Sequence, residues 1–225
     1  MPFTYPYPRP AVTADVVLLS MRAGDLSVLL IKRKHAPFKG SWALPGGFAE
    51  ETETLERAAL RELQEETGIA NVKIEQLGAF GDPGRDPRGH TVTIAYFACV
   101  VAESLMSRAG DDASAVAWIP LRRLALAGRP TRRGAKIVTL AFDHDKIIQK
   151  ALRVLQERLN DPLHSAPSEI VPERFTLAQL QGVYEAVFGY EITPREFQKR
   201  LRAQRLVVPV LASKRPKLYR WRKVS

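Results

Sequence analysis

The sequence holds a single cysteine, Cys99, so no internal disulfide can form, and a reducing compartment fits. It has no apolar run near the ~20 residues that a membrane span requires, so no membrane partner is expected. Met1 to Pro10 alternates proline with aromatics and lacks both a basic start and an apolar stretch, which argues against a secretory signal and for a cytoplasmic location. An acidic balance is missing too. The net charge is +10 over 225 residues, and from Val171 to Ser225 twelve Lys or Arg face four Glu, which leaves +2 for everything earlier. Basic charge gathered at one end is the asymmetry of a nucleic-acid-binding appendage on a near-neutral domain, although a solvated basic surface that aids solubility has the same composition. The length suits one medium domain with a small appendage.

What is present reads as α+β. Thr13 to Ser20 and Leu26 to Lys32 are β-rich runs separated by a turn at Gly24 and Asp25. Lys39 to Phe48 (KGSWALPGGF) is a Gly- and Pro-punctuated loop, and Thr54 to Gly68 is a helix with Thr54 as N-cap and Gly68 as its stop. Strand-like segments follow at Val72 to Phe80, His90 to Val101 and Val116 to Ile119, without the regular βαβ repeat of a doubly wound sheet. Asp143 to Leu159 has helical periodicity, and the proline-bearing stretch Asp161 to Pro172 ends it. Two short helices come next. Thr176 with Gln179 makes one capping box, and Thr193, Pro194 and Glu196 make another with proline at the first helical position. Two β-like runs, Leu206 to Leu211 and Leu218 to Trp221, flank the basic segment ASKRPK, so the outline is helix, helix, basic hairpin.

The chemistry is concentrated between Gly47 and Ile69. Gly47 is followed by Glu53, then by Arg61-Glu62-Leu63-Gln64-Glu65-Glu66-Thr67-Gly68-Ile69, in the pattern G-x5-E-x7-R-E-U-x-E-E-x-G-U with U aliphatic. Glu62, Glu65 and Glu66 stand at i, i+3 and i+4, so their carboxylates share one face of the helix. Such repulsion is relieved by a hard divalent cation that bridges carboxylates and phosphate oxygens. A solvent-exposed acidic face would explain the glutamates alone, but not Pro45, Gly46, Gly47, Glu53 and Arg61 at their offsets.

These residues resemble the Nudix hydrolase family at every specified position. The resemblance implies a mixed sheet packed between helices and a Mg²⁺ or Mn²⁺ site that serves attack of water on a pyrophosphate phosphorus. By position, Arg61, Glu62, Glu65 and Glu66 are the catalytic candidates. Glu62, Glu65, Glu66, Glu53 and the backbone of Gly47 are the metal candidates, and Gly46 lies with the substrate. The loop FGDPGRDPRG at Phe80 to Gly89, with the strand after it, resembles Nudix domains that act on or sense ADP-ribose, including those of NrtR-type regulators of NAD metabolism. There Arg85 and Arg88 are candidate grips for phosphate or ribose. An ordinary Asp-Pro-Arg turn, with Asp82 or Asp86 paired to arginine, is the competing reading. Asp111 and Asp112 are candidates to assist the attacking water, with a capped loop as the plainer alternative.

The resemblance to NrtR-type regulators continues through LAFDH at Leu140 to His144, FTLAQLQGVYEAVFG at Phe175 to Gly189, TPREFQKRL at Thr193 to Leu201 and the final RPKLYRW. It implies a Nudix domain over 1–142, a linker helix over 143–160 and a small winged helix-turn-helix domain over 161–225. Arg195, Lys199, Arg200, Arg202 and Arg205 are the candidate DNA contacts on the recognition helix, and Lys214, Arg215 and Lys217 those of the wing. The implied partners are a nucleoside diphosphate derivative such as ADP-ribose, double-stranded DNA and a second copy of the chain. NrtR-type proteins often carry a degenerate Nudix box; here it is intact, so hydrolysis is expected alongside sensing. Two rivals stay open, a metabolic hydrolase whose basic tail serves dimerisation or a protein partner, and an RNA-directed Nudix enzyme.

Overall fold

The computed structural model describes residues 6–101, 113–127, 137–160, 170–204, 207–210 and 217–222. Its centre is β1 (Ala11–Arg22), buried continuously from Thr13 to Ser20. A strand covered on both faces carries an unbroken apolar run rather than an alternating one. β1 turns into β2 (Asp25–Arg33) through Ala23 and Gly24, both at positive φ, and Arg22 pairs with Asp25. The hairpin is therefore tighter than the sequence suggested, because a two-residue turn with both residues at positive φ lets the ladder run to its edge.

The remaining strands are β3 (Trp42–Ala43), β4 (Gly46–Phe48), β5 (Glu75–Phe80), β6 (Thr91–Cys99) and β7 (Ala113–Pro120). They form one sheet in the order β3-β2-β1-β6-β5, with β4 added on β1 and β7 on β2. β1 and β6 run parallel and the other pairs antiparallel, so the sheet is mixed. β5 starts later than the periodicity predicts, after Asn71 at φ 59° turns the chain and Ile74 is buried ahead of the ladder.

Each face of the sheet takes one helix. α1 (Leu55–Thr67) begins at Thr54, whose hydroxyl accepts from the Arg57 amide at 3.2 Å, and stops at Gly68 in the left-handed region. Its buried residues Ala58, Ala59 and Leu63 pack against Ala14, Val16, Leu18 and Leu29. α2 (His144–Asn160) lays Ile147, Ile148, Ala151, Leu152, Leu155 and Leu159 against Val17, Leu19, Val28, Leu30 and Phe97 on the other face. These are the i, i+3, i+4 positions of one stripe, and truncating Leu155 to alanine would cost about 2–5 kcal/mol.

The second group of elements is α3 (Leu177–Phe188), α4 (Pro194–Gln204), β8 (Val207–Pro209) and β9 (Tyr219–Trp221). Both capping boxes form: Thr176 with Gln179, and Thr193 with Glu196, whose carboxylate returns to the Thr193 amide at 3.2 Å. β8 and β9 pair antiparallel, and Phe175 bonds to Tyr219 through both backbone groups. Helix, turn, helix and hairpin make a winged helix. The segment 143–160 is not an isolated connection. One face of α2 lies on the sheet, while Gln156 donates to the Val187 carbonyl at 3.0 Å and the Leu159 carbonyl accepts from the buried Tyr184 hydroxyl at 3.1 Å. The apolar cluster under α2 runs on without a break through Phe175, Leu180, Val183, Tyr184 and Phe197.

Candidate functional site

A cleft of about 410 Å³ opens where β4, α1, the loop after β5 and the start of α2 meet, and Glu62 and Glu66 line it. Two glycines bring the chain close enough. A Cβ on Gly46 would run into the Ala14 carbonyl and Asp15, and one on Gly47 would run into the Glu62 carboxylate. The absence of side chains at 46 and 47 thus sets β4 against both β1 and α1. The Gly46 amide then donates to Glu66 Oε2 at 2.9 Å.

Arg61 gathers the acidic groups. Its guanidinium reaches Glu53 at 2.7 Å, Glu62 at 2.8 Å and Glu65 at 3.2 Å, and donates to the Phe48 carbonyl at 3.1 Å. The hydrogen bond to Glu53, then that to Glu62, pushes Arg61 above its ordinary range, and Arg61 together with the Glu50 amide holds Glu53 below the usual carboxylate range. The five metal candidates therefore divide. Glu62, Glu66 and Gly47 line the cleft; Glu65 is largely exposed and Glu53 is tied to Arg61, and neither lines it. Among the described residues no group of three His, Cys, Asp or Glu side chains forms a ready cage. A cation here would be held by Glu62, Glu66 and backbone oxygen, completed by water and ligand phosphate. That all-oxygen set fits Mg²⁺, which binds few carboxylates and keeps its waters. Arg61 supplies the compensating positive charge in the structure as it stands.

The loop arginines are placed differently from a pair of phosphate grips. Arg85 forks onto Asp143, with Nε at 3.1 and 3.2 Å and Nη2 at 2.8 Å, and both side chains are buried, at 4% and 9% exposure. Arg88 forks onto Asp86, whose side chain is 2% exposed, at 2.7 to 3.2 Å. That pairing pulls Asp86 below and pushes Arg88 above its ordinary value. Both arginines still line the cleft.

Sequence reasoning missed the cleft floor. Asp15 and His144 are buried there; Asp15 accepts from the Thr93 hydroxyl at 2.6 Å, and His144 Nδ1 accepts from the Leu44 amide at 2.8 Å. His144 Nε2 then carries the proton of the neutral ring and faces Asp15 at 3.9 Å. Burial lowers its pKa, partly opposed by Asp15. His144 thereby ties the start of α2 to the Leu44–Gly47 loop. A signal existed: Asp15 is a carboxylate inside the apolar run AVTADVVLL. Phe48 and Phe142 also line the cleft and were not singled out.

On the winged helix, Arg195, Lys199 and Arg202 are exposed along α4, while Phe197 and Leu201 are buried. Arg200 turns the other way. Its guanidinium lies 5.1 Å from the Tyr184 ring and 5.4 Å from that of Phe188, and it donates to Asn160 at the end of α2. Lys217 is exposed and, with Arg202 and Arg222, lines a hollow of about 520 Å³. Arg205, Lys214, Arg215, Asp111 and Asp112 lie outside the described residues. No described helix is long and apolar enough to cross a membrane.

Comparison with known proteins accords with both halves. Residues 9–140 match the NUDIX domain family and residues 167–220 the NrtR DNA-binding winged helix domain. The chain is 34% identical over 224 residues to the ADPR responsive transcriptional repressor NtrR of Acinetobacter baylyi, covering 96% of this chain and 83% of that protein. It is 42% identical to the ADP-ribose pyrophosphatase of Methanocaldococcus jannaschii over 147 residues, 65% of this chain and 76% of that enzyme. The structure of Shewanella oneidensis NrtR complexed with a 27mer DNA superposes with a TM-score of 0.66 at 33% identity, over 94% of this chain and 93% of that one. The chain belongs to the Nudix superfamily, in the NrtR-type group that joins a Nudix domain to a winged helix.

Proposed function

We propose that this chain is a DNA-binding transcription regulator of NAD-related metabolism. Its Nudix cleft senses ADP-ribose or a related nucleoside diphosphate derivative, and the cleft retains Mg²⁺- or Mn²⁺-dependent pyrophosphohydrolase activity. The observation that carries the reading is continuity. The first residue of α2, His144, lines the cleft of Glu62 and Glu66, while the rest of α2 shares one apolar cluster with α3 and α4, whose other face is exposed and basic. Working units of 1–142, 143–160 and 161–225 follow, as sensor, lever and reader. The similarity to a repressor described as ADPR responsive supports the sensing half, and the 27mer DNA complex supports the reading half. The intact Nudix box and the similarity to an ADP-ribose pyrophosphatase support hydrolysis. A cytoplasmic homodimer fits the two-fold logic of helix-turn-helix operators.

In this mechanism Glu62 and Glu66 would hold the cation, which would supply charge neutralisation at phosphate oxygens and a water of lowered pKa. Arg61 keeps Glu62 and Glu53 in place through its forked bonds, and Gly46 fixes the rotamer of Glu66 through its amide. Arg195, Lys199 and Arg202 face the duplex, with Lys217 tracking the backbone from the wing. Glu66→Gln keeps an oxygen acceptor for the Gly46 amide and removes one charged ligand. It is expected to lower ADP-ribose hydrolysis at least about a hundredfold with the fold intact. Product release measured with saturating Mg²⁺ checks this; wild-type turnover by the variant would remove Glu66 from the metal site.

A further inference from the structure

Leu44, Gly46 and Gly47 line the cleft beside Glu62 and Glu66, and the segment they form with Pro45 is held at each residue. The Pro45 carbonyl accepts from the Val16 amide of β1 at 2.9 Å, and the Gly46 amide donates to Glu66 of α1 at 2.9 Å. Gly47 lies against Glu62, where a Cβ would not fit. These three holds come from β1 and α1, inside the Nudix unit. The fourth comes from α2, where His144 Nδ1 accepts from the Leu44 amide at 2.8 Å, across 100 residues of sequence.

Two features make this bond more than packing. Leu44 is 1% exposed, so its amide is shut off from water, and a buried donor of this kind takes the position that its acceptor sets. The imidazole is in turn fixed from two sides. It packs on Phe142 with ring centres 5.3 Å apart, and its Nε2 faces Asp15 Oδ1 at 3.9 Å, while Asp15 Oδ2 accepts from the Thr93 hydroxyl at 2.6 Å. Asp15 thus favours the tautomer with the proton on Nε2, which leaves the lone pair on Nδ1 for the Leu44 amide. Groups that orient a metal's ligands from behind are worth about ten- to 100-fold in metal affinity.

We propose that His144 is a positioning residue of the cation site: by seating the Leu44 amide it sets the Leu44–Gly47 segment where the Gly47 backbone and the Glu66 carboxylate can share a divalent cation. This rests on reading the cleft as a Mg²⁺ or Mn²⁺ site. In this role His144 acts through the Leu44 amide and does not touch the cation. His144 is also the first residue of α2, whose apolar face is shared with the winged helix. Cation occupancy is therefore felt at α2 before any nucleotide binds.

The test is Mn²⁺ binding to the full chain without nucleotide, followed by the electron paramagnetic resonance of free Mn²⁺. His144→Leu removes the acceptor and should weaken Mn²⁺ about tenfold or more. His144→Asn carries Oδ1 where the ring has Nδ1 and should bind within about threefold of the wild type. A merely structural histidine would lower the melting temperature of both variants and leave the Mn²⁺ affinity of the folded chains alone. In the wild-type chain, Mg²⁺ should also shift the ¹⁵N resonance of His144 Nδ1, which keeps the test decisive if His144→Leu fails to fold. Equal Mn²⁺ affinity in His144→Leu and the wild type overturns the positioning role alone, as does a His144→Asn chain as weak as His144→Leu. So does a Nδ1 resonance indifferent to saturating Mg²⁺. A wild-type chain that binds no Mn²⁺ overturns the cation reading and the positioning role with it.

Discussion

Arg85→Ala separates two roles for one residue. The sequence offers Arg85 as a phosphate or ribose grip, whereas the structure buries its guanidinium against Asp143 with three contacts of 2.8 to 3.2 Å. The pair pins the loop after β5 to the start of α2, 58 residues apart in sequence. With side-chain exposures of 4% and 9%, losing arginine leaves a buried carboxylate without its counter-charge. Breaking such a pair from one side costs about 3–5 kcal/mol, most of it the penalty for the stranded charge. For a chain of this size that lowers the melting temperature by roughly 10 °C. Urea unfolding of Arg85→Ala, Asp143→Ala and the double variant measures the loss and the coupling. The double variant should recover part of the stability, because it strands no charge. If Arg85→Ala unfolds within about 0.5 kcal/mol of the wild type while ligand affinity collapses, the brace is wrong and the grip is right.

His144 gives a pH dependence of defined sign. Burial depresses its folded pKa, so the unfolded chain takes up the proton first; its contribution is fully present above about pH 6.5 and declines as pH falls toward its lowered folded value. Urea midpoints between about pH 8 and 5 should show this slope, and it should flatten in His144→Gln; identical slopes would free His144 of the role. Lys199→Ala with Arg202→Ala should weaken duplex binding and reduce its salt dependence without changing nucleotide hydrolysis, since both side chains are exposed on α4. Unchanged affinity, followed by electrophoretic retention across a salt series, would take α4 out of the interface.

The local signals were strong enough to place most elements. Thr54, Gly68, Thr176 and Thr193 mark helix ends because a cap is satisfied within four residues. Glu62 and Glu66 were legible for the same reason, since their i, i+4 spacing along one helix puts both on the cleft, whereas the same pattern also marks Glu65 and Glu53, which do not line it. What the chain alone could not show is partner choice across long separations. Arg85 and Asp143 are 58 positions apart, and the Leu44 amide and His144 are 100 apart. Sequence pattern marks these residues as polar but not which group each satisfies. Arg200 belongs with them: on the helix it reads as one of a run of basic residues, yet Tyr184, Phe188 and Asn160 draw it away from the exposed face. The resemblance implies a linker helix over 143–160, and the apolar stripe of that segment does not say that the sheet and the winged helix both pack on it.

The measurement that bears most directly on the account is the affinity of the Glu66→Gln chain for a duplex selected by this protein from random sequences, titrated with ADP-ribose. With the charged metal ligand removed, hydrolysis in that variant is expected to be suppressed, so that the ligand persists. On the proposed reading, ligand in the cleft would act on α2 through Asp143, held by Arg85, and His144, held by the Leu44 amide, and α2 meets the reader at Tyr184 and Arg200. Saturating ADP-ribose should weaken DNA binding by about five- to 150-fold, and the duplex should weaken ADP-ribose binding by the same factor. DNA affinity that stays constant while ADP-ribose fills the cleft would mean that sensor and reader are only tethered, and the regulator account would fail.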